Sequence, residues 1–214
     1  MLSLAEEVLL LALDDDTGVL CESSPGTLGR TLVAAVLMEL AFLSRIDTDQ
    51  RALFVVDSTP VGDPVLDDTL AHLARQPKQR SSYAELTHLL GQAPEIQKRL
   101  LDRLVSRGIV KLVNERILWV FGVRRYPLLD DREVKEVKAR LREVVLGEDL
   151  PDPRDAVLIS LVEAAHLWGD AFTEEELARA RTRIERLARL DFIGQALARA
   201  IHEIEATLAF TRPI

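Results

Sequence analysis

The chain has 214 residues, of which 48% are hydrophobic and 29% are charged. It carries 27 Lys and Arg against 35 Asp and Glu, which gives a formal net charge of −8 at pH 7. This composition predicts a single globular domain over residues 1–214 and excludes disordered, collagen-like and disulfide-stapled chains. Because the whole molecule is acidic, any anion binding must come from a local basic patch.

Three features predict where the protein works. The single cysteine, Cys21, cannot form an intrachain disulfide and fits a reducing cytoplasmic compartment. Residues 1–13 lack a basic segment and carry acidic side chains, so they are not a signal peptide. The apolar run over 32–43 is interrupted by Glu39 and is shorter than the ~20 residues that a bilayer needs. We expect a cytoplasmic protein without a membrane-spanning segment.

Helix-start signals recur along the chain. Ser3–Glu6 forms a capping box, in which the two side chains satisfy free backbone donors, and Asp63–Pro64 supplies an N-cap with proline at the first helical position. Further capping boxes begin at Ser82 and Thr173. Apolar periodicity and these signals predict helices over 3–13, 64–75, 82–91, 94–107, 131–146, 153–168, 173–190 and 191–208. A further helix follows the loop at 23–26, and its periodic apolar residues lie between 32 and 43.

Two strand pairs accompany these helices. Ile46 and the run Leu53–Val56 are rich in β-branched and aromatic residues, which predicts a small accessory pair. Ile109–Leu112 and Ile117–Val123 flank the polar segment Val113–Arg116, which predicts a hairpin with its tip at 113–116. The predicted fold is therefore mainly α: a single helical domain of about eight helices with a protruding β-hairpin and the accessory strand pair.

The second hairpin strand is apolar on both faces. Trp119 and Phe121 fall on one face of the strand, and Leu118 and Val120 fall on the other. Since only one face can pack on the parent helices, the other face is predicted to meet a membrane, a second subunit in a homo-oligomer, or another part of the core.

The sequence contains no recognisable catalytic motif. Metalloprotease, nucleophile-elbow, phosphate-loop and dinucleotide-binding signatures are all absent. The four histidines, His72, His88, His166 and His202, lie one to a predicted helix and lack the local spacing of metal ligands. We therefore expect a protein that is not an enzyme and has neither a metal nor a cofactor.

Basic residues concentrate in one helix and at the hairpin that follows it. Arg99, Arg103 and Arg107 recur every four residues beside Lys98. Two interpretations compete: the arginines form a solvated face paired with acids, or they form an anion site, since guanidinium groups bind phosphate bidentately. Further basic residues at the base of the predicted hairpin are Lys111, Arg124 and Arg125.

A winged helix-turn-helix is an alternative fold for this segment. Residues 94–107 would be the recognition helix, and Asn114–Arg116 the tip of the wing, so that Pro94–Val123 would bind DNA. The net charge of −8 and Glu95 near the start of the helix make nucleic acid an improbable partner.

The ordered motifs along the chain resemble the Golgi phosphoprotein 3 family. The stretches that carry the resemblance are Leu2–Leu13 with the acidic-Thr-Gly turn that follows, Leu37–Ala41, Thr59–Leu70, Leu104–Val110, Arg125–Pro127 and Pro153–Ala156. They cover essentially the whole chain. Because 22 of the 27 basic residues are arginine, a bias associated with GC-rich bacterial genomes, the chain resembles the bacterial branch.

The resemblance implies a non-enzymatic peripheral membrane adaptor. Eukaryotic members bind phosphatidylinositol 4-phosphate, hold the cytosolic tails of membrane proteins, and use their hairpin for membrane insertion and self-association. Carried over, it implies an anionic membrane phospholipid as partner and tails of membrane proteins as a further class of partner. Of the family's headgroup positions, the resemblance carries over Arg99. Together with the nearby basic residues Arg30, Lys98 and Arg103 it forms the predicted headgroup-binding set. The implied insertion or oligomerisation residues are Leu118, Trp119, Val120 and Phe121.

Overall fold

A computed structural model describes residues 2–21, 26–48, 53–75, 83–116, 122–169 and 171–189. Within these ranges the chain forms eight helices and two antiparallel strand pairs, which confirms the predicted fold class. The helices are α1 Leu4–Leu11, α2 Thr27–Phe42, α3 Pro64–Ala74, α4 Tyr83–Gly91, α5 Ala93–Ser106, α6 Arg132–Leu146, α7 Pro153–Ala165 and α8 Glu174–Ala188. The strands are β1 Ile46–Thr48, β2 Leu53–Val55, β3 Val113–Arg116 and β4 Gly122–Arg125.

The predicted N-terminal signals are in place. Ser3 accepts from the Glu6 amide while the Glu6 side chain accepts from the Ser3 amide, and Thr173 forms the same reciprocal box at α8. The Asp63 carboxylate accepts from the first amides of α3. These interactions satisfy amides that the helices leave without internal partners. The box predicted at Ser82 and the helix predicted over 191–208 lie outside the described residues.

Two predicted helix ends are wrong. The first helix ends at Leu11 instead of Leu13, because Leu13 forms an antiparallel bridge with Leu20. The seventh ends at Ala165 instead of Trp168, because His166 adopts a left-handed conformation with φ 56°. The sequence pattern pointed to Gly169 as the terminator, but a single non-glycine residue with a left-handed backbone can also end a helix, at a cost in strain.

The predicted hairpin tip is also wrong. Residues 113–116 form strand β3, which pairs with β4 from Val113 opposite Arg125 to Arg116 opposite Gly122. The connection between the strands is therefore 117–121, and these residues lie outside the described part of the chain. A polar segment between two apolar runs is typical of a turn, but here the polar segment is a strand and the connection reads Ile-Leu-Trp-Val-Phe.

Helix α1 lies at the centre of the fold. All of its residues are buried, and it packs against α2, α5, α6 and α7. An eight-residue helix that is apolar nearly all round is stable only when neighbours cover every face. The hydrophobic core surrounds it, and the fully buried leucines at its heart include Leu9, Leu10, Leu32, Leu37, Leu100 and Leu104.

Gly18 attaches the turn after α1 to the base of the hairpin. Its carbonyl accepts from the Tyr126 amide at 2.6 Å. Its φ is +66°, and a Cβ at this position would lie 2.3 Å from the backbone nitrogen of Pro127. Glycine is therefore required here both for the backbone conformation and for the close approach. The contact fixes where the hairpin leaves the core.

Candidate functional site

The four predicted headgroup-binding cations lie on two neighbouring helices, α2 and α5. Arg30 lies in the first turn of α2, where Gly29 packs closely against Ala93 at the start of α5. The other three cations follow on α5. With a rise of about 1.5 Å per residue, Arg103 lies about 15 Å along the helix from Ala93.

Arg103 is bound by side chains from the starts of two other helices. Its Nε donates to Glu6 Oε1 at 2.8 Å, its Nη1 pairs with Asp63, and its Nη2 donates to Ser3 Oγ at 3.2 Å. The Arg103 side chain is 24% exposed, and that of Glu6 only 3%. Since every guanidinium nitrogen has a partner, Arg103 joins α5 to the starts of α1 and α3.

The cations nearer the start of α5 are on the surface. Arg99 Nη1 lies 2.8 Å from Asp68, whose side chain is 70% exposed. Lys98 Nζ lies 3.9 Å from Asp102, and both side chains are mostly exposed. Water and salt screen such pairs, so they contribute little to stability and open readily. Of the predicted α5 set, Lys98 and Arg99 are accessible to a ligand.

Two buried glutamates on α1 belong to an ion-pair network that sequence reasoning missed. Glu7 Oε1 accepts from Arg140 Nη2 at 2.8 Å, and Arg140 Nε lies 2.6 Å from Asp155. Arg154 Nη1 donates to Glu39 at 2.9 Å. Adjacent glutamates inside an apolar helix were the available signal, because buried carboxylates need cationic partners. The α1 ion-pair network comprises Glu6, Glu7, Glu39, Asp63, Asp155, Arg103, Arg107, Arg140 and Arg154.

Burial perturbs the titration of this network. It raises the pKa of the Glu7 carboxyl despite the hydrogen bond and positive charge of Arg140. Burial likewise raises the pKa of Asp155, against the attraction of Arg140. For Arg140, burial alone would lower the pKa, but the hydrogen bonds and charges of Glu7 and Asp155 outweigh it and raise the pKa. Arg140 therefore stays charged, and its loss would leave the buried carboxylates of Glu7 and Asp155 without this cationic partner.

The base of the hairpin is anchored in the core on one side and exposed on the other. Ile109, Val110 and Tyr126 are buried, whereas Leu129 at the base is 62% exposed and Leu112, opposite Tyr126, is 40% exposed. We call residues 109–116 and 122–129 the hairpin stem. The segment 117–121, which includes Leu118, Trp119, Val120 and Phe121, follows β3 in the sequence and lies outside the described residues.

The pairing register extends below the named strands. The Lys111 amide donates to the Pro127 carbonyl at 2.9 Å, and the Leu129 amide donates to the Ile109 carbonyl at 2.9 Å. Both contacts keep the offset of the Val113–Arg125 pair. Pro127 has no N–H to return the hydrogen bond, which explains why the ladder is interrupted there.

This register assigns the exposed residues of the stem to its two faces. Residues directly opposite each other in an antiparallel pair point to the same face, and neighbours along a strand alternate. Lys111 and Leu129 therefore share one face, and Leu112 and Arg124 share the other. Among the stem residues whose side chains the structure describes, each face has one exposed cation and one exposed leucine.

A groove of ≈ 410 Å³ lies between α3 and α5. Its charged lining consists of Asp68 and Glu95 with Arg75 and Arg99, beside His72. The His72 ring stacks on His88 of α4 with the ring centroids 4.6 Å apart. Because the two formal charges of each sign cancel, the groove does not favour an anion over other ligands.

The comparisons with known proteins identify the family. The sequence matches the Golgi phosphoprotein 3 (GPP34) family over residues 4–204, and the chain belongs to this family. It is also similar to vacuolar protein sorting-associated protein 74 of Eremothecium gossypii, with 25% identity over 169 residues. That alignment covers 70% of this chain and 50% of the relative, so the chain spans about half the length of the curated relative it matches.

Proposed function

We propose that this protein is a non-enzymatic peripheral membrane adaptor that associates with anionic phospholipid. Its membership of the Golgi phosphoprotein 3 family supports this class of function. The observation that carries the proposal is the hairpin stem, which leaves the core at Val110 and Tyr126, has exposed leucines, and leads to the apolar segment 117–121. None of the described helices is long and apolar enough to cross a bilayer.

Membrane association through such a hairpin needs two contributions. A short apolar segment gives only marginal, reversible affinity, and stable attachment generally takes a second signal such as a basic patch. Each Lys or Arg near an anionic surface contributes about 1 kcal/mol. The hairpin residues Leu118, Trp119, Val120 and Phe121 would supply the apolar contribution, and cations on the same side of the molecule the electrostatic one.

The predicted headgroup-binding set remains part of the proposal, but its members differ in how accessible they are to a ligand. Lys98 and Arg99 are accessible, and Arg30 lies at the neighbouring start of α2. Arg103 is bound within the protein, so its role is to hold α5 in place. Phosphatidylinositol 4-phosphate is the anionic lipid to test first. Tails of membrane proteins and a second copy of the chain, bound through the hairpin, are the proposed protein partners.

Sedimentation with vesicles tests the proposal directly. The protein is mixed with vesicles of phosphatidylcholine alone, or with added phosphatidylserine or phosphatidylinositol 4-phosphate. We expect sedimentation with the anionic vesicles, weakening as salt is raised. Leu118→Ser is expected to reduce it, whereas the matched Leu150→Ser, at a leucine 85% exposed after α6, should leave it unchanged. A protein that sediments with none of these vesicles at low salt contradicts the proposed function.

The winged-helix alternative has weaker support. A recognition helix needs a free basic face, but Arg103 and Arg107 of α5 are paired with Glu6, Asp63 and Glu133. A gel-shift titration with duplex DNA at low ionic strength separates the two functions. A salt-dependent shift together with no vesicle binding would favour the DNA-binding alternative.

A further inference from the structure

The cations of α5 and those of the hairpin stem differ in whether acids neutralise them. Arg99 and Arg103 are both within 3 Å of a carboxylate. Among the described residues, by contrast, neither the Lys111 ammonium nor the Arg124 guanidinium has an ion-pair or hydrogen-bond partner, and both side chains are exposed. A cation without a carboxylate partner gives its full charge to an external phosphate, since no existing pair has to be broken.

The two acids that directly follow the stem are already neutralised. Asp130 lies 2.5 Å from Arg132, and Asp131 lies 2.5 Å from Lys135. The hydrogen bond from Arg132 also lowers the pKa of Asp130 to about 2, so this carboxylate stays ionised and paired. Neither of these two acids therefore neutralises Lys111 or Arg124, whose positive charges stay available in an otherwise acidic protein.

The two cations also lie on opposite faces of the stem, each with an exposed leucine. In the register described above, Leu112 is diagonal to Arg124, and Lys111 is diagonal to Leu129. Diagonal neighbours on one face are within reach of long side chains. A stem packed on its own core would be polar on one face only. A stem with an exposed cation and an exposed leucine on both faces fits an environment that contacts the stem from both sides.

From this arrangement we propose that Lys111 and Arg124 form a basic collar around the hairpin stem that contacts the phosphates of an anionic bilayer while the hairpin points into it. The inference rests on the proposed membrane association and names Lys111 and Arg124 as the residues that make its electrostatic contact. The partner is a phospholipid surface, because a planar array of phosphates can meet both faces of a projecting stem together. Each leucine lies two positions nearer the base of the stem than the cation diagonal to it, so in this arrangement it would lie on the aqueous side of that cation.

Two charge-matched double variants test the assignment. Lys111→Gln with Arg124→Gln removes the collar, and Lys98→Gln with Arg99→Gln removes the same two charges from α5. Vesicle partition coefficients are measured for both and for the wild-type chain, with phosphatidylserine-containing and with pure phosphatidylcholine vesicles. We expect the collar variant to bind anionic vesicles about 30-fold more weakly, from about fivefold per charge. The α5 variant should lose clearly less, and thermal unfolding should confirm that both are folded.

The outcomes separate this inference from the proposed function. If the wild-type chain binds anionic vesicles and the collar variant binds them as well as or better than the α5 variant, the collar is refuted and membrane association stands. If the wild-type chain binds no vesicles, both fail. If the collar variant instead changes only the oligomeric mass measured by light scattering, the stem contacts a second copy of the chain and the collar is refuted.

Discussion

The position of Arg103 allows a quantitative test of whether it is structural or available to ligands. Arg103→Met removes the guanidinium but keeps most of the apolar stem, and Arg99→Met makes the same change one turn earlier on α5. Removing one partner of a buried ion pair costs about 3–5 kcal/mol, because the other charge is left uncompensated. Two features of the structure reduce this figure: Arg103 is 24% exposed, and Arg107 Nη1 still lies 3.3 Å from Glu6.

We therefore expect Arg103→Met to lower the free energy of unfolding by about 2 kcal/mol. For a chain of this size, that corresponds to a fall in Tm of about 4–8 °C. Arg99→Met should cost about 0–1 kcal/mol, since its partner Asp68 is solvent-exposed. Urea unfolding followed by far-UV circular dichroism measures both values, and the slope with urea concentration should not change.

A double variant sharpens this test. Glu6→Gln removes the carboxylate that Arg103 neutralises, while its amide oxygen can still accept the Ser3 capping bond. When both partners are absent, the Glu6–Arg103 pair leaves no uncompensated charge and only Asp63 still loses its contact with Arg103, so Glu6→Gln with Arg103→Met should cost less than the sum of the single variants. The reasoning is refuted if Arg103→Met and Arg99→Met have the same urea midpoint. Arg103 would then be free to serve as a headgroup ligand.

Three further predictions concern stability. Gly18→Ala should lower Tm more than Gly62→Ala, because both residues have left-handed backbones, worth about 1–3 kcal/mol, but only Gly18 is crowded by neighbouring backbone. Glu176→Gln should flatten the pH dependence of the urea midpoint, because Arg142 holds the pKa of Glu176 at about 2, below its ordinary 4.5. Its stabilisation is thus complete above pH 4.5 and lost as pH falls towards 2. His166→Gly should raise stability by about 0.5–1 kcal/mol, since glycine adopts the φ of 56° without strain and this side chain is exposed.

Each of these has a clear contrary result. Equal Tm values for the two alanine variants would mean that the approach of the hairpin base to Gly18 is not close. An unchanged pH profile in Glu176→Gln would mean that Arg142 does not hold this carboxylate. A lower Tm in His166→Gly would mean that the imidazole contributes more than the backbone strain costs.

Local signals in the sequence were sufficient for most of the helices. The caps at Ser3, Asp63 and Thr173 depend on side chains within three residues of the amides they bind. Contacts between residues this close in the chain can be predicted from the local sequence alone. The end of α7 at His166 was missed because a left-handed histidine is not marked by its residue type, as a glycine would be.

The partners of the basic residues could not be predicted. Arg103 and Glu6 are 97 residues apart, and Arg140 and Glu7 are 133 apart. A periodic stripe of arginines shows that one face of a helix is basic, but it does not say whether that face meets solvent or the acids of another helix. The structure shows Arg103 paired with Glu6 and Asp63, and its assignment to the headgroup site stays a prediction that the variants above test.

The distribution of paired and unpaired cations explains how a chain with a net charge of −8 can approach an anionic surface. Arg103, Arg140 and Arg154 are bound to carboxylates within the fold, so they add little to the potential outside it. The hairpin stem therefore has accessible positive charge, whereas the rest of the chain carries a net negative charge. Such a separation of charge orients the molecule, since the surface attracts the stem and repels the opposite side. Added salt should weaken this orientation over the Debye length of about 10 Å at 0.1 M. Accordingly, salt should slow association with anionic vesicles in stopped-flow measurements, and Lys111→Gln with Arg124→Gln should remove most of that dependence.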